Sequence, residues 1–141
     1  MTLLELAQRF VGEVHERNPG DDPFIQWCHA SCHLSADTPD EVPWCSSFLN
    51  RLCWILRLPR SSSAAARSWL TIGRPIDLVD IVVGDVVIFA RADDPSSGHV
   101  GLYVGTSDEQ FVMILGGNQT DQVTVTRFFA RSIIGIRRLS P

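Results

Sequence analysis

Cys45 follows Pro43 and Trp44, and from it apolar residues recur at i, i+3, i+4, i+7, i+8 and i+11: Cys45, Phe48, Leu49, Leu52, Cys53 and Leu56. That spacing is one face of an amphipathic helix, and Pro43 at its entrance puts Cys45 in the first turn. Backbone N–H groups at a helix start point along the axis, and the helix dipole adds partial positive charge. Both favour an anion, which for cysteine is the thiolate, the nucleophilic form. Cysteine is also a common core residue. Cys53, mid-helix on the apolar stripe, reads that way, whereas Cys45 sits at a loop-to-helix corner.

A cysteine nucleophile needs a base, and the chain has four histidines, His15, His29, His33 and His99. His15 falls near the end of the first expected helix and faces water. His29 and His33 stand four apart on one face of the second. His99 opens an expected strand after Gly98, where it is accessible and rigidly held. Along that strand His99, Gly101 and Tyr103 point one way, and Val100, Leu102 and Val104 the other. Gly101 leaves room beside the imidazole for backbone or substrate. A third residue holds such a histidine in the right tautomer. Gly116-Gly117-Asn118-Gln119 follows the next expected strand and offers the Asn118 amide oxygen; Gln119, Asp121 and Glu41 compete for the same role. Taken alone, Gly-Gly-Asn is turn chemistry.

Cys28-His29-Ala30-Ser31-Cys32-His33 contains metal-ligand residue types. One short helix cannot close a tetrahedron with them, and no second ligand pair follows, so neither a metal nor a cofactor is expected. Asp93-Asp94 lacks a calcium-loop pattern and reads as a solvated turn. Trp27, Trp44, Trp54 and Trp69 are expected in the core or in a cleft wall.

The elements that must position these groups follow from capping and periodicity. Thr2 with Glu5 is a capping box, and Leu4, Ala7, Phe10, Val11 and Val14 continue at helical spacing, so a first helix is expected over residues 3–17, ended by Asn18-Pro19-Gly20. Asp22-Pro23 reads as N-cap and first position of a second helix reaching about residue 34. Residues 35–40 form a loop, Pro59 closes the Cys45 helix, and the serines from 61 cap a short helix anchored by Trp69 and Leu70. From residue 76 the pattern turns to period two, with strands expected at 85–90, 99–104, 110–115, 122–126 and 133–139. Residues 93–98, 106–108 and 116–118 carry turn chemistry between them. Helices first and consecutive strands after them argue an α+β fold, with N-terminal helices packed on a mostly antiparallel sheet of about five to six strands.

At 141 residues the chain is read as one domain, 1–141, with a helical part over about 1–70 and a sheet part over about 76–139. With 45% hydrophobic and 20% charged residues, disorder and collagen-like repeats are excluded. A net charge of −4 argues against non-specific nucleic-acid binding. No apolar run reaches the roughly 20 residues of a membrane span, so no membrane insertion is expected. The first residues carry acids within their apolar stretch and no basic start, which reads as synthesis in a cytoplasm without a signal peptide. Four cysteines are too few for a disulfide scaffold, so reduced thiols are expected.

Five segments in order carry a family resemblance: Pro43-Trp44-Cys45-Ser46-Ser47-Phe48, Ala65-Ala66-Arg67-Ser68-Trp69-Leu70, Val83-Gly84-Asp85-Val86-Val87-Ile88-Phe89, Gly98-His99-Val100-Gly101-Leu102-Tyr103-Val104-Gly105 and Leu115-Gly116-Gly117-Asn118-Gln119. From about residue 41 to the C-terminus the chain resembles the CHAP and NlpC-type cell-wall hydrolases, in a small single-domain group common in phages and prophages. The resemblance implies a papain-like fold with Cys45 as nucleophile, His99 as base and Asn118 in the orienting position. Trp44, Gly98 and Gln119 would border the substrate. The implied activity is hydrolysis of a peptidoglycan amide, as an N-acetylmuramoyl-L-alanine amidase or a stem-peptide endopeptidase. A Cys45 thiolate paired with protonated His99 would attack and pass through a thioester, with no cofactor. The implied setting is a monomeric phage endolysin acting on the cell wall after release through a membrane hole made by a partner. Two other readings stand beside it: a secreted antibacterial effector neutralised by an immunity protein, and a catalytically silent relative serving as a structural or binding module.

Overall fold

Thr2 caps the first helix as its sequence requires. Its hydroxyl accepts from the Glu5 N–H (3.1 Å), and the Glu5 carboxylate accepts from the Thr2 N–H (2.9 Å). The computed structural model, which describes residues 1–91 and 94–139, nevertheless ends this helix, α1 (Leu3–Gln8), far short of residue 17. Gly12 takes φ +79°, and the backbone after it goes to the sheet instead. Gly12 N–H donates to Val123 O (3.1 Å), Val123 N–H to Val14 O (2.9 Å) and Glu16 N–H to Asp121 O (2.8 Å), with His15 opposite Gln122. A glycine inside a helix costs about 1 kcal/mol, and here the strand edge offers the backbone other partners.

The second helix, α2 (Pro23–Ala30), starts as expected, with the Asp22 carboxylate accepting from Ile25 N–H (3.0 Å) and Pro23 in the first turn. It ends at Ala30, not near 34, in a turn where His33 takes φ +63°. The third, α3 (Cys45–Leu56), begins where the apolar stripe places it and closes at Arg57 in the left-handed region (φ +58°). The short helix expected after residue 61 is a 3₁₀ turn at Ala66–Thr71, anchored by the fully buried Trp69. No helix among the described residues is long and apolar enough to cross a membrane.

Six strands follow: β1 (Arg74–Pro75), β2 (Val86–Arg91), β3 (Asp94–Asp108), β4 (Phe111–Gln119), β5 (Gln122–Phe129) and β6 (Ile133–Arg138). They form one sheet in the order β1-β6-β2-β3-β4-β5, with every neighbouring pair antiparallel. The fold is therefore α+β. Several expected turns are strand instead. β3 already pairs at Asp94 and runs on through Thr106, Ser107 and Asp108; of the expected turn at 93–98, Asp93 lies outside the described residues. Gly116, Gly117 and Asn118 belong to β4, and the reversal comes at Thr120 and Asp121. Both have positive φ (53° and 63°) and link Gln119 to its partner Gln122, a two-residue hairpin turn of the primed type.

The sheet buries both faces. On one, Phe48, Leu49 and Leu52 of α3 pack against Val86, Ile88, Val100, Leu102 and Leu115. On the other, Val87, Phe89, Tyr103, Val112, Ile114 and Ile136 form a second cluster. The start of α3 sits hard on β4 at Gly117, where a Cβ would come 2.6 Å from the Trp44 ring and 3.0 Å from Phe48 Cβ. Overpacking of this kind typically costs about 1–3 kcal/mol. Gly117→Ala is therefore expected to lower unfolding stability in urea by about that amount and to shift the tryptophan emission of the folded state. An unchanged midpoint would show that α3 is not seated on β4 as described.

Candidate active site

Trp44 stands at the N-cap of α3 and makes no side-chain capping bond. The N–H groups of Cys45 and Ser46 are thus left to the Cys45 thiol, and the Val100 N–H of β3 meets it from the sheet. Strand geometry explains that third donor. Tyr103 N–H bonds Asp85 O, so odd-numbered N–H groups on this part of β3 face β2 and even-numbered ones face β4. The β3–β4 ladder, however, begins only at Leu102 and Leu115. Val100 lies beyond it, and its N–H is open to sulfur. Burial still dominates the thiol. It is the largest influence on Cys45 and pushes its pKa up, against the lowering effects of the three N–H groups and of Arg91.

His99 points to the opposite side of β3 from Val100, as the period-two reading has it. Its ring stacks on Phe128 (4.8 Å between centroids) and lies 6.4 Å from Phe89. Its Nε2 is 2.9 Å from Gln119 Oε1. The Gln119 amide nitrogen donates to Ile114 O (3.0 Å) and Thr124 O (2.8 Å), which turns its oxygen to the imidazole. A carbonyl oxygen only accepts, so His99 Nε2 carries the proton and Nδ1 the lone pair. Nδ1 is buried and has no hydrogen-bond partner among the described residues. Burial, partly opposed by the Gln119 bond and helped by Arg91, pushes the imidazole pKa down to about 4. The thiol meets the N–H of Val100, the residue next to His99, while the imidazole lies on the other side of β3; both feel Arg91. No hydrogen bond joins them, and burial favours the neutral form of each.

The contact expected from Asn118 is made by Gln119 instead. Asn118 adopts φ +59°, and the β4–β5 register shifts between Gly116 and Gln119. Up to this point β4 alternates regularly: Gly116 lies beside the Gln119 amide and Gly117 under Trp44. The left-handed residue breaks the alternation and brings Gln119 to the His99 side. Asn tolerates this conformation better than most residues, which is the physical reason for the type at position 118. The other rivals are elsewhere. Asp121 shares a hydrogen bond with Glu16, and Glu41 is exposed in the loop before α3.

Two expected substrate contacts are internal. Trp44 is fully buried, with its Nε1–H donating to Glu16 Oε2 (3.0 Å). Gln119 is buried and spends its amide as described. Gly98 is half-buried, and a Cβ there would meet Phe89 O at 2.8 Å. A cavity of about 270 Å³ lies beside the imidazole, lined by Phe89, Arg91, His99, Arg127, Phe128 and Ser132 among others. Of the tryptophans expected inside, Trp27 and Trp54 are 42% and 51% exposed and hold the Arg51 guanidinium at 4.1 and 4.8 Å from their rings.

His29 has a positioning role that its sequence neighbourhood did not reveal. Its Nε2–H donates to Val42 O (3.2 Å) and its Nδ1 accepts from the Ser47 hydroxyl (2.8 Å), tying α2 to the entrance and first turn of α3. Burial pushes its pKa down. The signal was the spacing of Ile25, Cys28, His29 and Cys32, which is one buried helix face. Cys28 and Cys32 are free thiols on that face, and no candidate metal-ligand group among the described residues includes them.

Compared with known proteins, the chain matches no family model and no curated sequence.

The buried imidazole predicts a pH dependence. His99 titrates at about 4 folded against an ordinary 6.5, so between these values the unfolded chain binds more protons. Its contribution is fully present above about pH 6.5 and is lost as pH falls toward 4, by about 3 kcal/mol in total. Urea unfolding at pH 7 and pH 4.5 is expected to show a smaller acid loss in His99→Gln than in wild type. Equal losses would mean that His99 is not buried neutral.

Proposed function

We propose that the chain is a cysteine amidohydrolase of papain-like architecture that cleaves a peptidoglycan amide, either between muramic acid and L-alanine or within the peptide stem. The observation that carries the chemistry is the commitment of His99 Nε2–H to Gln119, which leaves Nδ1 as the free proton acceptor beside the strand segment that meets the Cys45 thiol. The substrate class is supported by the order and content of the five sequence segments.

In this reading Nδ1 takes the thiol proton as sulfur attacks the carbonyl carbon. Burial disfavours both charged partners, so proton transfer accompanies attack, in contrast to the standing thiolate–imidazolium pair implied by the family resemblance. The carbonyl π-pair moves to oxygen, and backbone N–H groups at the start of α3 stabilise that oxyanion; one such donor is worth about 3–4 kcal/mol. The oxyanion collapses, the C–N bond breaks, and the Nδ1 proton goes to the leaving amine, giving a thioester. Water then gives a proton to Nδ1 and its oxygen attacks the thioester, the acid departs, and the proton returns to sulfur. Gln119 holds the ring without adding charge, so it supports the imidazolium less than a carboxylate would.

One observation favours a second reading, a catalytically silent relative. Cys45 is 5% and His99 1% exposed. Iodoacetamide separates the two: an activated Cys45 is alkylated faster than the buried Cys28, whereas equal rates support the silent module.

Mass spectrometry of fragments released from defined peptidoglycan tests the proposal. A new lactyl carboxylate on muramic acid marks an amidase, and a new amine within the stem an endopeptidase. Cys45→Ala is expected to abolish release with its circular dichroism unchanged. Gln119→Ala is expected to lower kcat by about 10- to 100-fold through a misaligned imidazole. Wild-type release by Cys45→Ala would remove the thiol from the mechanism.

A further inference from the structure

Half of the large apolar side chains that stand exposed among the described residues fall in one continuous band: Met1, Trp27, Trp54, Ile55, Val82 and Val83. Shared walls make it continuous. Trp27 and Trp54 meet edge to face, with 6.0 Å between ring centroids. Trp54, Ile55 and Leu58 line a shallow hollow together with Arg57 and Arg60. Leu58 also lines a groove of about 380 Å³ with Met1, Leu4, Val82 and Val83. The charged pair in that groove, Asp85 and Arg138, is spent in two mutual bonds of 2.8 Å. The indoles are held rather than loose. The Arg51 guanidinium lies between them, and its Nε and Nη2 donate to Trp27 O (3.0 and 2.7 Å). Apolar surface of this extent marks a contact with a partner or a membrane.

The charges beside the band have one dominant sign. From Val42 to Ile76 the chain carries five arginines and no acid, in a protein of net charge −4. Arg57 is exposed at the end of α3. Arg60 is half-buried, with Nη1 donating to Ser31 O (2.8 Å). The acids on the segments that supply the apolar residues are Glu5, Asp77 and Asp80, and Asp80 lies near Arg138.

We propose that this band docks the chain on the surface of a bilayer that contains anionic phospholipid. Guanidinium groups pair with phosphate oxygens, so Arg57 and Arg60 meet the headgroups. Indoles favour the boundary between lipid and water, where Trp27 and Trp54 come to lie. Ile55, Val82 and Val83 reach past them into apolar surroundings. Attachment is peripheral and needs no spanning helix. A two-fold contact with a second copy would have to be self-complementary, and a band whose hollow holds two arginines and no acid is not. The anion that complements it is supplied by lipid. This membrane role is independent of the hydrolase reading.

Sedimentation of the whole chain with vesicles tests it, using phosphatidylcholine alone against phosphatidylcholine with about a third phosphatidylglycerol. The expected result is at least about tenfold tighter binding to the anionic vesicles, lost at high salt. Tryptophan emission shifts to the blue on binding, because Trp27 and Trp54 are exposed while Trp44 and Trp69 are already buried. Arg57→Gln is expected to weaken binding about fivefold, the share of one arginine at an anionic surface. Val83→Asp, at a position 57% exposed, is expected to keep the wild-type Tm and to weaken binding at least about tenfold. Val125→Asp adds the same charge on β5, at the far edge of the sheet from β1, and is expected to bind as wild type does. No binding to either vesicle, equal binding to both, or wild-type binding by Val83→Asp would each overturn the assignment. So would a dimer in sedimentation velocity that Val83→Asp splits and that ignores vesicles, which would give the band to a second copy.

Discussion

The hydrogen bond from His99 Nε2–H to Gln119 Oε1 decides which imidazole nitrogen is free to take a proton, and the surrounding sheet is arranged to make it. The Gln119 amide cannot turn over without giving up its bonds to Ile114 O and Thr124 O, each worth about 1 kcal/mol net and more if left unmade in the interior. Room for the amide comes from one missing side chain: a Cβ on Gly116 would lie 2.6 Å from Oε1. The left-handed Asn118 supplies the change of face. Gly116, Asn118 and Gln119 thus act as one device whose product is a fixed tautomer.

Burial sets the chemistry of the Cys45 thiol, and comparison with the other cysteines shows what is particular about it. All four are buried and free. Burial pushes the Cys53 thiol up to about 12, with only Arg60 opposing it. Around Cys45 three backbone N–H groups and Arg91 oppose the same penalty. Position at an uncapped helix start, next to a strand that has left its ladder, is what separates a candidate nucleophile from core cysteines. The buried polar groups behind it keep that start in place. Ser46 Oγ accepts from Trp69 Nε1–H (2.8 Å) and donates to Ser63 O (2.6 Å), and Ser47 is bonded to His29.

What was legible in the sequence is what depends on local period. The phase of α3, the capping of α1 and α2, the alternation around His99 and the antiparallel α+β class all follow from spacing that neighbouring residues enforce. What was not legible depends on partners far along the chain. Nothing near Gly12 says that its backbone will bond Val123 rather than continue a helix. Turn chemistry at 106–108 and 116–118 was real at the level of residue type, but the ladder extends through both segments and uses their irregularities as bulges. The orienting amide was off by one residue for the same reason. A period-two count puts Asn118 beside His99, and one positive φ transfers that place to Gln119.

Nitrogen-15 NMR of histidine-labelled protein tests the central claim most directly, because it reads the protonation of each His99 ring nitrogen separately. At pH 7 the account predicts a protonated Nε2 coupled to its hydrogen and a bare Nδ1, with the Nδ1 signal shifting when Cys45 is replaced by alanine. A proton on Nδ1, with Nε2 bare, would contradict it, since Nδ1 could then take no proton from a thiol.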